Sequence, residues 1–483
     1  MTTLVRPSNG QTIDASHVDQ LVDLFKGGLI YSAKDHFGCV GDGNTDDTGA
    51  LTSAAGAGGL VVFAPGTYLC TASGTAQVFN NALVNGTVWL GAGRTSSVIK
   101  LANSSNSRMF TQTTAISGVR FEHLGFDFNG ANQTDGAARD DRSGLFFLSV
   151  SDLSFIACGF SNGRHGAMLR LSLCDRLKIQ GCRASNMGLT ATFSCDFAFV
   201  RNLTHFRAWG NTVLGSATNP DTGFAQDGVD HSAVFGNVIE AMANGVTVSA
   251  SATEGASTTA ASSFNAVTGN VIKGPTAVNG NGVKVSTFGN GATNMKDVAI
   301  AGNVTENCDR DYWIEQVDRC LLANNVMGAM AGTNKQHVLL SSTGTLNDFA
   351  ARSNKMHTTS NRGFSFSGGS FGGRIVLEDN EFVGVTTAIG GTIPAGSIIR
   401  RNPGYNPQGV VAITVTASPF TYTAGPTPEY VTIDGGTVTT VAKNAITLYS
   451  FGGAAARCGV WLEPAETVTV TYTVAPTMNA DRK

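Results

Sequence analysis

From about residue 125 to residue 402 the chain alternates short apolar runs with polar breaks of Gly, Asn and Ser, and one phrase keeps returning at the breaks. The phrase is usually Gly-Asn followed by alternating apolar residues. It reads G-F-D-F at Gly125, G-F-S-N at Gly159, G-C-R-A at Gly181, G-N-T-V at Gly210, G-N-V-I at Gly236 and Gly269, G-N-V-T at Gly302, N-N-V-M at Asn324, S-N-K-M at Ser353 and D-N-E-F at Asp379. Successive starts lie 34, 22, 29, 26, 33, 33, 22, 29 and 26 residues apart. A period of that size marks a repeat architecture. Each unit holds two or three alternating runs, such as Val298-Ala299-Ile300, Val304 and Tyr312 to Val317, so the repeat predicts a β-coil and not a helical hairpin.

Asn at one place per coil has a physical reason, since its side chain tolerates a left-handed corner and stacked amides can form a ladder between coils. At a strand spacing of ~4.8 Å the nine intervals predict a rod of roughly 40–45 Å. Where the spacing swells, at Ser249 to Phe264 and Phe288 to Asn294, the extra residues are expected to leave the rod as loops. A β-sandwich with chance Gly-Asn hairpin turns is the competing reading, and a single phrase held over ten coils speaks against it.

Composition agrees with an all-β, turn-rich chain. Of 483 residues, 59 are Gly and only 14% are charged. The net charge of −3 leaves no basic footprint, which argues against nucleic acid and anionic membrane and favours a neutral or sugar-like ligand. Nine cysteines are scattered without a C-x-x-C spacing, so no metal site is expected, no cofactor is implied, and the thiols read as small buried hydrophobes. The first residues have no basic segment followed by an apolar core, and no stretch has the ~18 apolar residues of a membrane span. The expectation is a protein made in the cytoplasm without a signal peptide.

Asp35 to Cys70 reads DHFGCVGDGNTDDTGALTSAAGAGGLVVFAPGTYLC. Asp46, Asp47 and Thr48 are suited to cap a helix over about Thr48 to Ala57, Gly58-Gly59 stops it, and Leu60 to Phe63 predicts a buried strand before the Pro65-Gly66 turn. As a calcium loop Asp42 to Asp47 fails, because the sixth position is Asp47 where glycine is needed and the twelfth is Ser53 where a bidentate Glu is needed. This segment resembles the opening of the pectate-lyase-like superfamily found in phage tailspikes. The resemblance implies an all-β chain, a single-stranded right-handed parallel β-helix with a short N-terminal helical cap and a small C-terminal β-sandwich-like domain. Three parts are expected: residues 1–30, with a weak amphipathic helix over Ala15 to Phe25, as a leader for virion attachment or trimer start; residues 31–402 as the capped β-helix; and residues 403–483, where plain period-2 strands take over, as a module for trimerisation or carbohydrate contact.

Cleaving a polysaccharide on such a face needs two carboxylates about 5–5.5 Å apart for retention or about 6.5–9.5 Å for inversion. The best local cluster is Phe224 to His231, with Asp227 and Asp230 around Gly228. An offset of three puts two residues on opposite faces of an unbroken strand, so both reach the groove only if Gly228 turns a corner. Aligning Asp227-Gly-Val-Asp230 with Asn244-Gly-Val-Thr247 and Asn281-Gly-Val-Lys284 predicts Val229, Val246 and Val283 inward, Asp230, Thr247 and Lys284 outward, and His231 inward. Asp196 is then expected one coil away, roughly 5 Å if registers match, whereas Asp311 and Glu315 lie roughly 14 Å on. The expected catalytic set is Asp227, Asp230 and Asp196, with Trp313 and Glu315 as subsite residues and Arg170, Lys284 and Trp313 as candidates for binding acidic or stacked sugar rings. The alternative for each carboxylate is a solvated turn residue.

The resemblance implies a tailspike that binds and hydrolyses a bacterial capsule, exopolysaccharide or lipopolysaccharide, sits in the virion as a homotrimer and joins a phage tail or baseplate protein through its N-terminus. Two alternatives share the fold. One is a receptor-binding spike without catalysis, and the other a polysaccharide lyase with Lys284 or Arg170 as base. An intracellular housekeeping enzyme is the outlier.

Overall fold

The computed structural model describes residues 30–482 apart from 73–76, 135–143, 190–193, 217, 252–261, 275–279, 289–294, 342–344, 358–359, 369, 406–408 and 426–427. The leader with its helix over Ala15 to Phe25, and most of the two expected loops, lie outside the described residues. The chain divides into two compact units, one up to Thr293 and one from Asn294.

The first unit opens with the expected helix, Thr48–Ala57, which buries Leu51, Ala54 and Ala55. Its capping differs from expectation. Asp46 accepts the Thr48 amide at 3.0 Å, while the buried Asp47 turns back to accept the amides of Val40 at 2.6 Å and Gly41 at 3.0 Å. Asp47 therefore ties the preceding loop to the helix start. Gly58, at φ +68°, ends the helix.

After the helix the chain winds as a parallel β-helix, each coil laying its strands in register on the coil before. One sheet stacks Leu145, Leu169, Ala198, Phe224, Val246 and Val283 as a single buried column. A second sheet of short strands stacks Tyr68, Ile99, Phe126, Phe160, Ala184, Val213, Ile239 and Ile272, all buried. Repeating one apolar position per coil makes the core continuous, which no single coil could achieve alone. The early coils fill it with aromatic rings: Trp89 lies 4.9 Å from Phe63 and 5.5 Å from Phe110, and Phe121 stacks on Phe155 at 5.3 Å.

The recurring phrase marks the turn into the second sheet. The left-handed residue there is the one before the Asn, as with Gly210, Gly236 and Gly269 at φ +62°, and the Asn itself turns inward. Asn211 donates through Nδ2 to Asn237 Oδ1 at 2.9 Å, and Asn237 donates to Asn270 in the same way at 2.9 Å. Each of these acceptor oxygens also takes the backbone amide of the preceding Asn, at 3.0 Å.

The second unit repeats this design. Its ladder runs through Asn303, Asn325, Asn354, Asn380 and Asn402, with amide-to-amide distances of 2.8 to 3.0 Å. Asn324, Ser353, Asp379 and Arg401 take the left-handed corner that glycine takes in the first unit. From Gly409 the strands become antiparallel and form one six-stranded sheet, with Val431, Ile433, Val438, Val441, Val460, Val468 and Val470 packed in one buried cluster. This antiparallel sheet with its own buried cluster is the expected C-terminal β module.

Candidate functional site

Two outward columns on the first unit carry three of the seven predicted residues, Arg170, Lys284 and Asp227. One runs Phe146, Arg170, Phe199, Ala225, Thr247, Lys284 on successive strands; the next runs Leu148, Ser172, Arg201, Asp227, Ser249, Ser286. Strand alternation puts both columns outside, because the residues between them, Leu171, Val200, Gln226 and Val248, are fully buried.

In the first column the guanidinium carbon of Arg170 stands 5.8 Å from the Phe146 ring centre and 5.6 Å from that of Phe199, and that of Arg108 stands 4.7 Å from the Phe146 ring centre. These distances are within cation–π reach. Beyond Phe199 the column drops to the small side chains of Ala225 and Thr247 before Lys284. In the second column Arg201 Nε faces Asp227 Oδ2 at 3.3 Å, and Ser249 Oγ donates to Asp227 Oδ1 at 3.3 Å. Both charged side chains are about nine-tenths buried, so Asp227 is a recessed carboxylate held by a cation and a hydroxyl.

The register corrects the sequence alignment. Asn244 and Asn281 do share a position, but the residue beside them is Thr222, and Asp227 pairs with Ser249. Asp196 consequently lies opposite Thr222, whose amide it accepts at 3.0 Å. That position is five residues from Asp227 along the strand, or ~16 Å at 3.3 Å per residue, and not the ~5 Å expected.

Gly228 does turn a corner, at φ +62°. The corner separates the pair it was expected to unite: residues up to Asp227 pair with the strand Asn244–Ser251, whereas those from Ser232 on pair with Ser263–Thr268. Asp230 belongs to the second face, where Ser263 donates to it and His231 Nδ1 sits 2.9 Å away. His231 is a further correction. It points outward at φ +58°, stacked between His205 at 5.5 Å and Phe264 at 4.9 Å. Val229, Val246 and Val283 are inward as expected, Lys284 is half-buried on the outward column, and Thr247 is outward but covered to 6% exposure.

Trp313 and Glu315 are in the second unit, joined through one hydroxyl: Trp313 Nε1 donates to Ser341 Oγ at 2.9 Å, and Ser341 Oγ donates to Glu315 Oε1 at 2.8 Å. Arg310 lies over the Trp313 ring at 4.8 Å. Asp311 is buried against His337, Oδ2 to Nδ1 at 2.6 Å, and burial, with Asp311 nearby, pushes the Tyr312 hydroxyl well above its usual range. Among the described residues no cluster of three or more His, Cys, Asp and Glu side chains could hold a metal ion.

Phe146, Phe199 and Arg108 were not singled out by sequence. For the two phenylalanines the signal is an aromatic on the outward half of an alternating strand, as in Leu145-Phe146-Phe147-Leu148 and Phe197-Ala198-Phe199-Val200; Arg108 carries no such signal. Such a ring gains nothing from the core and calls for another reason to be there.

Comparison with known proteins agrees with this architecture. Residues 31–138 match the family model described as rhamnogalacturonase A/epimerase, pectate lyase-like. No curated protein matches the chain in sequence. Among solved structures, a mutant tailspike protein of E. coli bacteriophage HK620 aligns over 100% of this chain and 96% of its own at 14% identity, with a TM-score of 0.62. The same phage's tailspike in complex with a pentasaccharide aligns over 100% of this chain and 97% of its own, also at 14% identity, with a TM-score of 0.59. Residues 31–138 are thus similar to the pectate-lyase-like family model, and the chain has the parallel β-helix fold that these tailspikes share.

Proposed function

We propose that this protein is a phage tailspike whose β-helix binds a bacterial surface polysaccharide along the outward columns of its first unit. The observation that carries the reading is the row of Phe146, Arg170 and Phe199 beside the recessed Asp227. Flat rings and held guanidinium groups suit sugar rings, which present both apolar faces and hydroxyls. The tailspike of similar fold that was solved with a pentasaccharide supports the class of ligand. The same reading makes residues 1–30 the attachment segment toward the phage tail or baseplate, residues 31–402 the working β-helix and residues 403–483 a trimerisation or carbohydrate module, and it places the protein as a homotrimer in the virion tail.

Hydrolysis is the second reading, and Asp227 is the acid that favours it. A carboxylate recessed beside a cation and a serine is placed to exchange a proton with a bound glycosidic oxygen. The corner at Gly228 puts Asp230 on the next face, away from Asp227, and Asp196 serves better as a structural acceptor for Thr222. Lyase chemistry would instead use Arg170 or Lys284 as base, and Arg170, held between two rings as a cation, is poorly suited to it.

One incubation separates the readings. Purified protein is mixed with capsule and lipopolysaccharide of candidate hosts, and retention, new reducing ends and absorbance of unsaturated sugar are followed. Retention with reducing ends that vanish in Asp227→Asn supports the hydrolase, retention alone supports the binding spike, and unsaturated product supports the lyase. No retention on any host that the virion infects sinks the proposal.

A further inference from the structure

We propose that Cys158 and Cys182 form a site of covalent modification in the first unit, where hydrogen peroxide joins the two thiols into a disulfide that ties successive coils together. The inference stands on the coil geometry and does not depend on the saccharide reading.

The pair follows from the register of the second sheet. Gly159 lies opposite Arg183, and the Arg183 amide donates to Cys158 O at 2.9 Å, so Cys158 and Cys182 sit one above the other at the preceding position of each coil. Their surroundings repeat as well. Cys158 Sγ donates to Phe121 O at 3.3 Å and to Ile156 O at 3.5 Å, and Cys182 Sγ donates to Phe155 O and Gln180 O, both at 3.5 Å. Those carbonyls belong to register partners, Phe121 with Phe155 and Ile156 with Gln180. The two side chains are therefore related by a shift of one coil, with Cα atoms ~4.8 Å apart, inside the ~4.4–6.8 Å that a disulfide spans. The thiols also act on each other: burial, and after it the Cys182 thiol, push the Cys158 thiol well above its usual range. By contrast Cys70 pairs with Leu101, Cys320 with Val298 and Phe349, and Cys458 with Ile433.

The column gives the link a structural purpose. The residue before each cysteine, Ala157 at φ +51° and Gly181 at φ +61°, is the left-handed corner of the recurring phrase, so both thiols occupy the slot that Asn211, Asn237 and Asn270 fill in later coils. Asn211 Oδ1 accepts the Cys182 amide at 2.8 Å, just as Asn237 Oδ1 accepts that of Asn211 at 3.0 Å. From Asn211 onward, side-chain amides bond one coil to the next. A thiol is only a weak donor and acceptor, so between Cys158 and Cys182 the ladder lacks its strong rung. A disulfide supplies one, between residues 24 positions apart in sequence.

The oxidation balances with hydrogen peroxide alone. Cys182 attacks one peroxide oxygen, becoming a sulfenic acid and releasing one water; Cys158 then displaces the sulfenic oxygen as a second water, and the S–S bond forms. Two thiol protons and two electrons pass to the peroxide. The oxidant must be small, because Cys158 and Cys182 are 0% and 1% exposed. Cys182 is the one beneath an open turn: Gly181 before it is half-buried, and a Cβ there would meet nothing within 4 Å. The raised Cys158 thiol makes the second step slow at neutral pH and faster as pH rises.

The test uses the full chain, purified with reductant and then freed of it. After hydrogen peroxide at mildly alkaline pH, the protein is unfolded, alkylated, digested and mapped by mass spectrometry. A peptide containing Cys158 joined to one containing Cys182 is expected as the main cross-link, reversed by a phosphine reductant. The oxidised protein should melt roughly 5 °C above the reduced one. Cys158→Ser should lose the link and leave a sulfenic acid on Cys182 that dimedone labels. Should that variant fail to fold, Cys182→Ala and the map of the unaltered protein still decide. No joined peptide, separate oxidation of the two thiols to sulfinic acids, or a link that forms only after unfolding overturns the site. A joined peptide with an unchanged or lower melting temperature overturns the disulfide as a tie between coils.

Discussion

Arg201 and Asp227 face each other from successive coils, Nε to Oδ2 at 3.3 Å, with each side chain about nine-tenths withdrawn from water. Removing one partner of such a pair strands the other charge and costs about 3–5 kcal/mol, whereas replacing both by apolar residues is often neutral. Arg201→Ala should therefore lower the unfolding midpoint sharply, and Arg201→Met combined with Asp227→Leu should recover most of the loss while abolishing ligand retention. Equilibrium denaturation of the three proteins checks this. Equal losses in single and double variants would show that the pair contributes through packing and not charge.

The Asn ladder of the second unit gives a graded prediction. Asn325 accepts the Asn303 amide at 2.9 Å and donates to Ile300 O at 3.1 Å and Asn354 Oδ1 at 2.9 Å, all out of reach of water. Asn325→Ala orphans buried groups on both neighbouring coils, at about 1–3 kcal/mol for each group left unpaired. Asn361→Ala, at an exposed amide that donates only to Asn334 O at 3.3 Å, should change stability by less than about 0.5 kcal/mol. Urea titration of the two variants reads the difference, and similar midpoints would refute the ladder's contribution.

The thiols predict a pH dependence on the alkaline side. Burial pushes Cys39 up to about 12, Cys174 to about 11 and Cys320 to about 12, from an ordinary value of 9.0. The folded state holds these protons more tightly than the unfolded chain does. Their contribution to stability is thus complete below about pH 8 and declines as pH rises from 9 through 12. Melting temperature should fall between pH 8.5 and pH 10.5 in step with thiol ionisation, and Cys39, Cys174 and Cys320 should resist a thiol reagent at pH 8 until the protein is unfolded. Rapid labelling of these three in the native protein would contradict their burial.

Much of the β-helix was legible before any coordinates. The Gly-Asn phrase works because it records a constraint that every coil must satisfy, a left-handed corner followed by an amide that bonds the next coil. The helix Thr48–Ala57 and the strand Leu60–Phe63 were likewise readable from caps and apolar runs. The corner residue was less so: Asn324, Ser353, Asp379 and Arg401 occupy the left-handed position with side chains, which shows that the ladder Asn and the corner are two separate requirements.

The site was only partly legible, and Gly223 and Gly228 explain why. Both are glycines followed by an apolar residue within one strand, and sequence offers no ground for choosing which one aligns with Gly245. Packing decides it. A Cβ on Gly223 would come within 3.0 Å of Ile239, as one on Gly245 would come within 2.5 Å of Ile272, so these two share the tightly packed position inside the coil. Gly228 instead supplies a corner at φ +62°. The choice of glycine moved the register by five residues, took Asp196 away from Asp227 and turned His231 outward.

By itself, then, the sequence determined the repeat, the ladder and the cap, because local turn chemistry and alternation act within a coil and recur in each. Only the tertiary structure decided which outward side chains meet. Phe146, Arg170, Phe199 and Asp227 belong to different coils tens of residues apart, and their proximity depends on strand register, a property of the stacked coils that no single coil encodes.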